Sequence, residues 1–172
     1  MQRISAQTVV ELLLDAVCIV DANSLVVYVS PAFERIFGYT PEEAVGLKMF
    51  ELVHPADRQA TEQQANRVME GSPQLQFENR YIRKDGALVD ILWTARWLPD
   101  RQLRLAVAHD ITRRKRTESM HATMYAISAV AHAASSLPVL LERIHHILAA
   151  RINTLGFSVA LTTPQGGFHR VY

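Results

Sequence analysis

Leu103-Arg104-Leu105-Ala106-Val107-Ala108-His109-Asp110-Ile111-Thr112 runs without a break into Arg113-Arg114-Lys115-Arg116, and this join decides the fold. Alternation of Leu103, Leu105 and Val107 with intervening residues reads as a β-strand. Past Thr112, the residues Thr117, Met120, Met124, Ile127, Ala131 and Ala134 recur at three- and four-residue steps, which places them on one stripe of a helix. A sheet is therefore wired directly into a helix, with Asp110 placed to accept amide hydrogens where the helix starts. Such a join suits a receiver whose sheet moves or repacks a helical output, and it carries no catalytic constellation.

Upstream, Leu88 to Leu98 reads as a strand preceded by Lys84-Asp85-Gly86, a hairpin turn because Asp-Gly tolerates the positive φ that tight hairpins need. Leu75 to Arg83 is its partner, and Pro99-Asp100-Arg101 turns the chain into the strand from Leu103. Before this meander, residues 56–70 form a polar helix closed by Gly71-Ser72-Pro73. Ser30-Pro31 and Thr40-Pro41-Glu42-Glu43 each start a short helix, stopped at Gly38 and Gly46. Ala16 to Asp21 and Leu25 to Val29 make a hairpin around Asp-Ala-Asn-Ser, and residues 4–15 read as a lead-in helix whose apolar face must pack on something. The expected class is α+β, with short helices on one face of an antiparallel sheet. Ser135-Ser136-Leu137-Pro138 starts another helix bearing Leu141, Ile144, Leu148 and Ile152, followed by strands at 155–163 and 168–172 around Pro164-Gln165-Gly166-Gly167.

Composition narrows the function. The chain has 172 residues, 49% of them hydrophobic and 20% charged, enough to bury a sizeable core. A net charge of +1 supplies no field to draw in nucleic acid or an anionic membrane, and neither partner is expected. The single cysteine, Cys18, excludes an internal disulfide framework and fits a reducing compartment; on a strand it reads as a small buried hydrophobe. No apolar run is long enough for a membrane span, so the expected location is cytoplasmic. Arg113 to Arg116 lacks interleaved aromatics and reads as the solvated start of a helix.

Five pieces stand in order and spacing: Val29-Ser30-Pro31-Ala32-Phe33, Phe37-Gly38-Tyr39-Thr40-Pro41-Glu42-Glu43-Ala44-Val45-Gly46, Leu52-Val53-His54-Pro55-Ala56-Asp57, Arg83-Lys84-Asp85-Gly86 and His109-Asp110-Ile111-Thr112. Together they resemble a PAS domain with its C-terminal PAC segment, a sensory box, over roughly residues 10–116. The resemblance implies a PAS fold: a five-stranded antiparallel sheet with short helices over one face, used for sensing or dimerisation. Met124-Tyr125-Ala126-Ile127-Ser128, Leu140-Leu141-Glu142-Arg143-Ile144-His145 and Phe157-Ser158-Val159-Ala160-Leu161 are similar to the opening of a GAF domain. The expected organisation is a lead-in helix at 1–15, a PAS/PAC sensor at 16–112, a signalling helix at 113–134 and the truncated start of a GAF domain at 135–172.

The pocket of such a domain is expected to be small and apolar, lined by Phe33, Phe37, Phe50, Leu52, Ile91 and Trp93. Arg80 joins them as the group to meet an anionic ligand if it points inward. It alternates with Tyr81, so only one of the two faces the helices, and an inward arginine needs a carboxylate or a ligand; outward is the preferred reading. The resemblance also pairs Glu43 with Lys84, which match positions that meet across the pocket in flavin-binding relatives. No cofactor is expected. Photosensing flavin relatives carry an Asn-Cys-Arg motif, and the matching stretch Leu47 to Leu52 has no cysteine. Haem needs an axial ligand, and residues 56–70 hold no histidine, while His54 in His-Pro-Ala-Asp reads as structural. Trp93 and Trp97 share a strand face, which leaves room for flavin without an adduct or another small organic ligand, with packing the preferred reading.

No metal-spaced cluster is found, and His145-His146 diverge by about 100° on a helix, too far to share a metal. His132 is followed by Ala133 and, six residues on, by Pro138, which does not fit a phosphoacceptor box. The chain reads as a non-catalytic input module of a bacterial signal-transduction protein. A sensor histidine kinase in a two-component phosphorelay is the expected parent; a diguanylate cyclase or cyclic di-GMP phosphodiesterase, or a ligand-free dimerisation module, is the alternative. Signal would pass through Asp110, Ile111 and Thr112 to a homodimer joined through the sensor and through Met120, Met124, Ile127 and Ala131, and on to a C-terminal output domain.

Overall fold

The computed structural model describes residues 5–134, 136–150, 158–162 and 168–170. Contacts divide the chain into two units, 1–113 and 114–172. The first begins with α1 (Ala6–Leu12), started by Ser5, whose hydroxyl accepts the Thr8 amide. This helix is shorter than the expected lead-in, because Leu13 turns extended. Val9, Leu12 and Leu14 stay exposed, so the expected packing of its apolar face is not seen among the described residues; Ile4 lies outside them.

Five strands follow: β1 (Ala16–Asp21), β2 (Val26–Val29), β3 (Gln74–Ile82), β4 (Leu88–Leu98) and β5 (Leu103–Asp110). They form one antiparallel sheet in the order β2-β1-β5-β4-β3. Between β2 and β3 the chain makes α2 (Ala32–Phe37), α3 (Pro41–Ala44), two 3-10 turns (Met49–Leu52 and Pro55–Asp57) and α4 (Arg58–Met69). The start of the expected 56–70 helix is thus a separate turn, capped by His54, whose Nδ1 accepts the Ala56 amide. Gly38 ends α2 with φ +83°, where a side chain would press to 3.2 Å from Lys84 Cβ; the missing Cβ lets the β3–β4 hairpin close on α2, with the Lys84 amide donating to the Phe37 carbonyl.

Burial shows which side of the sheet faces the helices. Ala16, Cys18 and Val20 of β1, Asn79 and Tyr81 of β3, Val89, Ile91 and Trp93 of β4, and Ala106 and Ala108 of β5 are all buried. Phe33, Ile36 and Phe37 of α2 close over them, and rings of Phe33, Phe37, Tyr81 and Trp93 cluster with neighbouring centroids 4.4 to 6.2 Å apart. Burying each such side chain stabilises the domain by about 1.5–3 kcal/mol. Leu103, Leu105 and Val107 occupy the opposite face, half-buried beside Val17 and Ile19 of β1. Ala106 and Ala108 fill two of the inner positions of β5, where they leave space.

After β5 comes α5 (Thr112–Ala133), with no buried residue. The second unit continues with α6 (Leu137–Ala149), on which Leu141 is buried, and an antiparallel pair, β6 (Ala160–Thr162) and β7 (Phe168–Arg170). Ile152, Phe157 and the turn at Pro164 to Gly167 lie outside the described residues.

Candidate ligand cavity and helix junction

A cavity of about 70 Å³ lies between the inner sheet face and α4. Cys18 and Val20, Phe77, Asn79 and Tyr81, Trp93 and Ala95, and Arg104 and Ala106 line its sheet side; Met49, Thr61, Gln64, Ala65 and Val68 line the other. It exists because Ala95 and Ala106 sit side by side on neighbouring strands and project little into the space below α4.

Of the residues expected to line the pocket, only Trp93 does. Phe33, Phe37 and Ile91 are fully buried core, Phe50 and Leu52 are half-buried, and none of these five borders the cavity. The 3-10 turn presents Met49 inward instead of Phe50, so aromatic character pointed to the wrong member of that turn. Arg80 is likewise outside: β3 turns Tyr81 in and Arg80 out, where its Nε and Nη2 donate to Asp57 at 2.9 and 2.7 Å. Its backbone amide donates to the same carboxylate, and these bonds hold the Asp57 carboxyl below the usual carboxylate range.

Inside the cavity, polar groups form a chain. Trp93 Nε1 donates to Asn79 Oδ1 at 3.1 Å, Asn79 Nδ2 to Thr61 Oγ1 at 2.9 Å, and Thr61 Oγ1 to the Asp57 carbonyl at 2.8 Å. Burial pushes the Cys18 thiol and the Tyr81 hydroxyl up, so both are neutral near pH 7. Arg104 is different. Its Nη2 donates to Ser24 Oγ at 3.1 Å, while Nη1 is buried with no partner among the described residues. Ser24 stands at φ +65° in the β1–β2 turn. Desolvation lowers the affinity of this guanidinium for its proton. The inward position of Arg104 was legible only with the strand's facing known; the alternation of leucines suggests the opposite side.

The end of β5 is tied at several points. Asp110 Oδ1 accepts the Thr112 amide at 2.9 Å, and Oδ2 accepts from Arg83 Nη2 at 3.0 Å. The Ile111 amide donates to the Asp90 carbonyl at 2.9 Å, and the Asp90 amide donates to Thr112 Oγ1 at 3.0 Å. Ile111 itself is buried. Residue 90 of β4 thus grips both residues after the last strand, and Arg83 adds the hairpin end of β3. Nearby, Lys84 Nζ meets both Glu43 oxygens at 2.6 and 2.7 Å; Glu43 also accepts the Thr40 amide, and these bonds keep its carboxyl below the ordinary range. On α5, Met120 and Met124 are exposed, as is Ala131, while Ile127 is half-buried. No group of three or more potential metal ligands is found among the described residues, and no helix among them is long and apolar enough to cross a membrane.

Residues 26–107 match a family model described as PAS fold. The chain is 37% identical over 78 residues to the White collar 2 protein of Neurospora crassa, covering 45% of this chain and 15% of that protein. It is 25% identical over 107 residues to the sensor histidine kinase TmoS of Ectopseudomonas mendocina, covering 59% of this chain and 11% of the kinase. The chain therefore spans only a small part of the curated relatives it matches. Among solved structures, a domain of a sensory box sensor histidine kinase/response regulator from Geobacter sulfurreducens superposes with TM-score 0.54 at 27% identity, covering 60% of this chain and 90% of that one. The Rhodobacter sphaeroides LOV protein shares the fold at 21% identity and TM-score 0.55, covering 84% of this chain and 88% of its own.

Proposed function

We propose, from the match of residues 26–107 to a PAS fold model, that this chain is the non-catalytic sensory input region of a signal-transduction protein, with a sensor histidine kinase as its output. The observation that carries the reading is the bonding of Asp110, Ile111 and Thr112, which ties the ends of β3 and β4 to the first residue of α5. A change in sheet packing at the cavity shifts these residues, and α5 delivers the shift as a population change between two helix settings. The likeness to sensor histidine kinases supports the choice of output.

In this reading α5 pairs with its copy through Met120, Met124, Ile127 and Ala131, since a stripe of exposed methionines on a long helix favours a partner. A homodimer places two inputs side by side above a dimeric output. Residues from 135 onward open a GAF domain, a PAC segment closes the sensor, and the protein works in the cytoplasm of a bacterium. The test replaces the native sensor of a soluble histidine kinase with residues 1–134 and inserts one to four residues within α5. Each added residue rotates the downstream helix and output by about 100°, so autophosphorylation should rise and fall with insertion length and lose that dependence in Asp110→Ala. Activity indifferent to both changes refutes the relay.

A further inference from the structure

The arginine that lines the cavity is Arg104. We propose that the cavity is a binding site for a small monocarboxylate, with its carboxylate on the Arg104 guanidinium and its short apolar tail against Val20, Met49, Phe77 and Trp93. This rests on the sensory reading above and names the chemical class sensed.

The cavity's polar inventory leads to this assignment. Asn79, Thr61 and the indole of Trp93 satisfy one another, and Arg80 on the outer face is satisfied by Asp57. Asp21, whose charge acts on Arg104 without a hydrogen bond between them among the described residues, has Oδ1 engaged by the amides of Asn23 and Leu25. Arg104 Nη1 remains a buried donor without an acceptor, and an unpaired buried charged donor is costly. Of the titratable groups on the cavity wall, Cys18 and Tyr81 are neutral near pH 7 and only Arg104 carries charge. A ligand with one negative charge matches this wall, whereas a second charge would meet the apolar side chains. A water occupies on the order of 10–15 Å³ in such a space, so about 70 Å³ admits a handful of heavy atoms. That size fits a short-chain acid, with Gln64 beside it as a further polar contact.

The test titrates the full chain with sodium butyrate at constant ionic strength, using sodium chloride, butyramide and 1-butanol as controls, and reads thermal midpoint and tryptophan fluorescence. Butyrate should raise the midpoint saturably, and the three controls should not. Arg104→Met, similar in length and without charge, should lose at least tenfold in butyrate affinity. Ala65→Leu, which keeps Arg104 but fills the cavity from α4, should lose it as well and guards against a poorly folded Arg104 variant. Absence of any butyrate effect on the wild type overturns the proposal, as does equal response to butyramide or undiminished binding by a folded Arg104→Met. Hydrogen exchange at residues 112–116 separates the two readings: butyrate binding without altered exchange there upholds the ligand assignment and sinks the relay.

Discussion

Asp110→Ala removes two contacts at once, and their sizes can be set separately. The carboxylate accepts the Thr112 amide at the start of α5, a capping-type bond whose loss costs about 1 kcal/mol. It also pairs with Arg83, with side-chain exposures of 26% and 32%, so the ion pair adds about 0–1 kcal/mol after solvent screening. The sum, about 1–2 kcal/mol, corresponds to a fall in thermal midpoint of roughly 4–16 °C for a domain of about 100 residues. Asp110→Asn keeps an acceptor for the Thr112 amide and loses only the charge, so it should retain most of the stability; Arg83→Met should match Asp110→Asn. Circular dichroism melts of the full chain read all three. If Asp110→Ala melts within a degree of the wild type, or Asp110→Asn falls as far as Asp110→Ala, the amide bond does not hold the junction.

Other bonds of the first unit carry outcomes of their own. Asn79→Ala deprives the buried Trp93 indole of its acceptor and should cost about 1–3 kcal/mol; a denaturant midpoint equal to the wild type's would remove that chain from the account. Asp57 is held below its ordinary value of 3.8 by Arg80, so its contribution is fully present above that pH and is lost as pH falls from 3.8 through the lower folded value. Asp57→Asn should therefore be less stable at neutral pH and lack that part of the acid decline, and identical acid slopes in a urea series would contradict this. Sedimentation of the wild type should give a dimer that Met124→Glu/Ile127→Glu dissociates; a wild type that is monomeric at high protein concentration eliminates pairing through α5.

The order of elements was readable because turns and caps are local chemistry. Asp85-Gly86 marks the β3–β4 hairpin, Thr40 and Glu43 form a capping box, and Gly38 stops α2, each within a few residues of sequence. The facing of β5 was not readable by the same means. Both of its faces carry apolar side chains, and the larger set, Leu103, Leu105 and Val107, lies away from the helices while Ala106 and Ala108 lie beneath them. Hydrophobicity ranks leucine above alanine, but a cavity forms where side chains are small. Phe33, Phe37 and Ile91, expected at the pocket, therefore landed in the packed core, and Arg104 was not legible because nothing local distinguishes a buried arginine from a surface one.

The ties on α4 are unevenly distributed along its length. Asn79 and Arg80, neighbours on β3 that point to opposite sides of the sheet, bond to Thr61 and Asp57, and Arg58 donates to the Val53 carbonyl, all at the helix's first turn. Toward its other end Val68 packs against the cavity and the chain leaves through Gly71 at φ +95°. The helix is built like a cantilever, riveted at its root and resting on grease at its tip. Anything that swells the space beneath it lifts the tip while the root stays in place, so the displacement grows along the helix toward the start of β3.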